Sequence, residues 1–229
     1  MTLVASDLIV SGIGTSARNR SGILADSQSE LLGVLNRLTM DLFFDASVLN
    51  PFFIGSVETV AFSAPAGGWP RPAAALSVVR IESTPTTQPG MGDGTEIIVI
   101  QPDNREAGVF EPHVLELGGI FVASGVASSP SGGPLRFWFA RRPVQLTLNG
   151  GLSQSIDPLI PDDMESYFVN GIGAYLAMKD QRADEVGVFG GQRDATRAMW
   201  SQLVGSATPA VRRTFTPRSA LNTGTEPTQ

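Results

Sequence analysis

The sequence predicts an α+β fold: an antiparallel helical bundle built from the N- and C-terminal segments, with an inserted antiparallel β-domain and an extended C-terminal tail. Three observations carry this. Apolar residues recur with helical period near both ends of the chain, the middle is rich in Gly, Pro, Ser and Thr with short β-prone runs between them, and the last twenty-odd residues have no period. The resulting division is a helical segment over 1–51, an inserted β-domain, a small sandwich or barrel, over 52–157, a helical hairpin over 158–206 that completes the bundle, and a tail over 207–229.

In chain order, Leu8, Ile9 and Ile13 suit a short helix that Gly12 and Gly14 weaken. Ser27 and Glu30 have the spacing of a capping box, and Leu31, Val34, Leu35, Leu38 and Leu42 follow with helical period, which predicts a helix over 26–46. Asn50 and Pro51 end it. The β-prone runs are FIGSVETVAFS, ALSVVRIES, TEIIVIQP, HVLELGGIFVASG, LRFWFARRP and VQLTLNG. Six short strands at such spacing, without crossover helices, predict antiparallel pairing. The polar loops TPTTQPGMGDG and ASSPSGGP belong on the surface, where they can act as contact loops in an assembly.

Residues 161–182 read as one long helix, roughly 33 Å if unbroken at about 1.5 Å per residue. Met164, Phe168, Ile172, Tyr175 and Leu176 form its apolar stripe. Asp162, Asp163 and Glu165 complement the dipole at its start, and Lys179 and Arg182 do so at its end. Gly171, Gly173, Ala174 and Ala177 weaken such a helix but admit a second one closely, from this chain or from a neighbouring copy. Gly187, Gly190 and Gly191 predict a break, followed by a helix over 192–204 with Ala195, Met199, Trp200 and Leu203 inward. In the tail, Arg212, Arg213, Phe215 and Arg218 are candidate anchors on a partner's surface.

The composition narrows the chemistry. The chain has 229 residues, 42% of them hydrophobic, and a net charge of −6, which argues against a basic groove that wraps nucleic acid. No apolar run reaches the roughly 20 residues a membrane span needs, and MTLVASDLIV has no basic residue ahead of its apolar patch, so neither a span nor a secretion signal is expected. The absence of cysteine removes disulfides and thiolate chemistry. His113 stands alone, and the two GIG triplets, Gly12–Gly14 and Gly171–Gly173, lack the spacing and setting of a dinucleotide loop. Asp162 and Asp163 sit where a helix start wants charge. In the run from Arg136 to Arg142, aromatics that fill a core while arginines pair with acids explain the pattern better than base stacking. No catalytic, cofactor or metal site is predicted. A carbohydrate-binding module would need Trp69, Trp138 or Trp200 as stacking platforms.

The order of parts carries a resemblance. RFWFARRP, a strand, LIPDDMESYFVNGIGAYLAMKDQR and a second helix resemble the C-terminal half of head-to-tail adaptor (connector) proteins of tailed bacteriophages, with Tyr175, Leu176, Ala177, Lys179 and Asp180 in the places of that family's helix pattern. SELLGVLNRLTMDLFF, with Leu35 and Asn36, and VVRIES, from Val78 to Ser83, are also similar to it. The resemblance implies a non-enzymatic virion protein of the neck, assembled in the host cytoplasm. It would form a homo-oligomeric ring, usually of twelve copies, between the portal protein and a tail, nozzle or terminator protein. DNA would pass through without sequence-specific binding. Neighbouring copies would meet through small faces such as Gly171, Ala174 and Ala177, and the tail from Arg212 to Arg218 would reach the portal. A tail terminator or a capsid decoration protein is the alternative within the same class.

Overall fold

The computed structural model describes residues 3–15, 28–84, 96–100, 113–124 and 133–207, and over them the chain is α+β. The described residues form four helices, α1 (Ala5–Thr15), α2 (Gln28–Leu49), α3 (Glu165–Lys179) and α4 (Ala183–Ser206). Seven strands lie between α2 and α3: β1 (Gly55–Val60), β2 (Trp69–Pro70), β3 (Ala75–Ser83), β4 (Glu96–Ile100), β5 (His113–Leu117), β6 (Ile120–Ser124) and β7 (Leu135–Arg141).

Helix α3 is the hub of a helical platform, with α1, α2 and α4 all packed on it. Of its expected stripe, Met164, Phe168, Ile172 and Leu176 are buried and Tyr175 is partly covered. The two GIG triplets meet: a β-carbon placed on Gly12 would lie 2.7 Å from Ile172 Cγ2 and 3.3 Å from the Val169 carbonyl oxygen. That contact explains why α1 is a helix despite its glycines, since close packing outweighs the propensity penalty of about 1 kcal/mol. The start of α1 is also tied down, because the Ala5 and Ser6 amides donate to the Gln154 and Leu152 carbonyls at 2.9 Å each.

Three helical expectations are corrected. The 161–182 strut is shorter: a 3-10 turn occupies Asp162–Met164, α3 ends at Lys179, and the chain reverses through Gln181 with φ of 58°. The glycine break is absent, since Gly187, Gly190 and Gly191 run inside α4. Phe189 lies against Gly173 of α3, where an added β-carbon would meet its ring at 3.3 Å, so the α3–α4 contact sustains the helix through the glycines. Finally, Trp200 and Val204 are buried, whereas Ala195, Met199 and Leu203 face outward. The Trp200 indole sets that phase by donating to the Leu42 carbonyl at 2.9 Å.

The sheet order is β1-β7-β3-β4-β5-β6-β2, two antiparallel halves that form no closed barrel among the described residues. One pairing departs from the antiparallel expectation: β4 and β5 run parallel, Ile98 opposite His113. The run HVLELGGIFVASG is a hairpin rather than one strand, turning at Gly118 and Gly119 with φ of 59° and 84°, the left-handed pair that a two-residue turn needs. VQLTLNG is not a strand. Its backbone is satisfied by side chains instead: Asn36 exchanges two hydrogen bonds with Leu146, at 2.8 and 2.9 Å, and Asp157 accepts from the Val144 amide at 3.0 Å.

Two cores result, one helical and one within the sheet. On β7, Leu135, Phe137 and Phe139 belong to the sheet core, while Ala140 belongs to the helical core. As expected, the arginines flanking these aromatics pair with acids, Arg136 with Glu82 at 3.6 Å and Arg141 with Asp157. The Arg141 guanidinium donates to both Asp157 oxygens at 2.7 Å and lies 5.2 Å from the centre of the Phe43 ring. Asp157 is buried and also accepts from the Leu159 amide at 3.1 Å.

Burial by itself would raise the Asp157 pKa, but the hydrogen bonds from Arg141, Val144 and Leu159, together with the Arg141 charge, outweigh it and hold the carboxyl below its ordinary value. A depressed folded-state pKa stabilises above the unfolded value and loses that contribution as pH falls through the folded one. Urea denaturation should therefore show stability falling as pH drops below about 4, and Asp157→Asn should flatten that acid limb. Gly12→Ala should cost about 1–3 kcal/mol through the clash with Ile172. Gly33→Ala, in α2 with nothing within 4 Å of the new carbon, should stabilise by about 0.5–1 kcal/mol. Equal effects of the two glycine substitutions would contradict the packing described.

Candidate functional site

Helix α2 carries neighbouring phenylalanines with opposite fates. Phe43 is 0% exposed in the helical core, whereas Phe44 is 57% exposed. Val48, one turn on, is 68% exposed, and Leu49 follows at the helix end. Together with Ala198 and Ser201 of α4 they line an open, mainly apolar groove between the two helices. Exposed apolar side chains grouped in this way make the groove a candidate docking surface.

The groove is held in shape by two anchors. Arg197 of α4 donates from Nε and Nη2 to the Asp45 carboxylate of α2 at 2.6 and 2.7 Å, a bidentate pair that fixes the spacing of the helices. That hydrogen bond to Asp45 pushes the Arg197 pKa further up, so the guanidinium stays charged. Below it, Trp200 packs edge-on against Phe53 at 5.4 Å between ring centres. Asn50 closes the end of the groove by donating to the Val204 and Ala207 carbonyls at 3.3 and 2.9 Å, which caps α4. Asp194, at the rim, pairs with Arg193 at 2.9 Å. Each carboxylate lining the groove therefore has a cationic partner of its own. Behind the groove, burial and then the charge of Asp41 push the Tyr167 phenol up to about 12, so it stays protonated there.

The contact residues named from sequence fall elsewhere. Gly171 faces inward, where an added β-carbon would lie 2.5 Å from Leu38 Cδ1 of α2, and Ala177 is fully buried. The close approach their size permits is thus used inside the chain, so the expectation that these two meet a neighbouring copy is corrected. Ala174 is partly covered. Arg212, Arg213, Phe215 and Arg218, and the loops TPTTQPGMGDG and ASSPSGGP apart from Thr84, Gly133 and Pro134 at their ends, lie outside the described residues. Trp69 and Trp200 are fully buried, with the Trp69 indole donating to the Gly133 carbonyl at 2.7 Å, so neither is a sugar-stacking platform. Trp138 is half-buried on β7. Asp162 and Asp163 are exposed in the 3-10 turn ahead of α3.

Among the described residues no group of three or more His, Cys, Asp or Glu side chains is placed to hold a metal ion, and no helix is long and apolar enough to cross a membrane. The groove was readable in one respect: Phe44 and Val48 are apolar yet lie off the stripe set by Leu31, Leu35, Leu38 and Leu42. No protein-family model matches the chain, and no curated protein matches it.

If the groove serves docking rather than folding, the two phenylalanines must separate in a stability assay. Phe43→Ala should cost about 3–5 kcal/mol, and Phe44→Ala should stay within about 0.5 kcal/mol of the parent. A large loss for Phe44→Ala in urea denaturation of dilute protein would place that ring in the core.

Proposed function

We propose that the chain is a structural virion protein, a head-to-tail adaptor that forms a ring between portal and tail of a bacteriophage. The observation that carries the reading is the apolar α2–α4 groove, a docking surface built on a platform to which both ends of the chain contribute. It is supported by the order of elements, two helices, a β-rich middle and a helix hairpin, which is the order of the family the sequence resembles.

On this reading the platform helices are an antiparallel bundle that packs side by side with its neighbours around a channel, and the β-domain projects outward or tailward. The chain's excess of acidic residues, net −6, suits the wall of a conduit that DNA crosses without sticking. The tail carrying Arg212, Arg213, Phe215 and Arg218 reaches the portal. Work is done by contact between copies, and no catalytic step is involved.

Native mass measurement, alone and with purified portal protein, tests this. A closed multimer, formed freely or on the portal, is the expected result. A monomer that persists at high concentration and ignores the portal contradicts it. A multimer found on the capsid shell or at the distal end of the tail would assign the chain to decoration or termination instead.

A further inference from the structure

We infer that neighbouring copies join head to tail, with the outer face of α4 in one copy seated in the α2–α4 groove of the next; this rests on the ring reading above. From Val186 onward, the charged residues of α4 are Arg193, Asp194 and Arg197, and at about 100° per residue all three fall on the side that faces α2. The opposite side presents Val188, Gln192, Ala195, Met199, Gln202 and Leu203, all exposed and none charged. Val188, Met199 and Leu203 are 58%, 60% and 44% exposed. Charged residues make up 17% of the chain and belong on surfaces, so an exposed helix face about 22 Å long without one calls for a cover. Depletion of charge is also what marks the buried centre of a protein interface.

The occupant is a second copy because the two faces, one apolar and one uncharged, lie on different sides of α4 and cannot both be served by one twofold contact. Around the axis of α4 the groove side, at Ala198 and Ser201, and the outer side, at Met199 and Leu203, are roughly 150° apart. A twofold dimer uses the same patch on both partners, whereas two different patches on opposite flanks are what a head-to-tail contact requires, and it closes into a ring when the rotation divides the circle. Charge agrees with this arrangement. Asp45 and Asp194 already have Arg197 and Arg193 as partners, so a neutral helix can cover the groove without burying an unpaired carboxylate. Size agrees as well. A face about 22 Å long and one helix wide covers only a few hundred Å2, short of the roughly 800 Å2 per partner of a stable pair. A single contact is therefore weak, and the ring, in which each copy uses both faces, is the stable species.

Because the chain has no cysteine, Met199→Cys and Val48→Cys, both at exposed positions, report the contact directly. Each single variant is prepared separately, and a short bismaleimide linker is added to each alone and to their mixture, with portal protein present if the free chain is monomeric. Linked pairs that form in the mixture, and a ladder from the doubly substituted chain, are expected. Met199→Cys linking to itself would show a twofold contact and overturn the inference. Multimers by mass without a Met199–Val48 link would overturn it while leaving the ring intact. A monomer under every condition removes the ring and the inference together. As a second measurement, Leu203→Asp should weaken association at least tenfold by sedimentation, and unchanged association would contradict the assignment.

Discussion

The ion pair between Arg141 and Asp157 is the constraint on which the rest of the architecture depends. Arg141 is the last residue of β7, and Asp157 lies in the segment that leads into α3, so the pair joins the sheet to the helical platform at the point where their two cores meet. The carboxylate is fully used, taking two bonds from the guanidinium and two from backbone amides. A buried charge satisfied in this way adds little net stability over an apolar pair, but it admits one arrangement of the elements around it. Asn36 acts in the same place, giving the extended segment after β7 a hydrogen-bonding partner that no strand provides. The 22-residue helix α2, the sheet and α3 are thereby held in one orientation.

That fixed orientation matters for any ring, because small errors in the angle between neighbours accumulate around the circle. The groove is made of α2 and α4, and its width is set by the Asp45–Arg197 pair and by Trp200 beneath it. Both tie α2 to α4 across the base of the groove, so a partner proposed to dock there would meet two helices already held together. Preorganisation of that kind reduces the entropy lost on association. It suits a protein whose contacts are individually small and repeated.

Much of this was legible in the sequence, and the failures have identifiable causes. The period of Leu31, Val34, Leu35, Leu38 and Leu42 marked α2, and all five residues are buried. The small residues of α3 point to close helix contact, which is found between Gly171 and Leu38 of α2 and between Gly173 and Phe189 of α4. What local patterns could not reveal was the partner: Gly171 reads the same whether the approaching helix belongs to this chain or another. The glycines of α4 predict a break because propensity is local, whereas Phe189 on Gly173 is a tertiary contact. The parallel β4–β5 pair was missed because alternation reports which face is buried, not which way the next strand runs. Phe44 and Val48 were visible as apolar residues off the stripe, yet they acquire meaning only beside Ala198 and Ser201, some 150 residues later in the chain.

The central claim is that this fold does its work by touching copies of itself around a closed circle. Electron-microscopy class averages of the purified protein, free and mixed with portal, test it most directly. The account predicts rings of uniform symmetry, with the helical platforms inside and the β-domains at the periphery or on one side. Isolated particles without symmetry in both samples, or pairs related by a twofold axis, would contradict it.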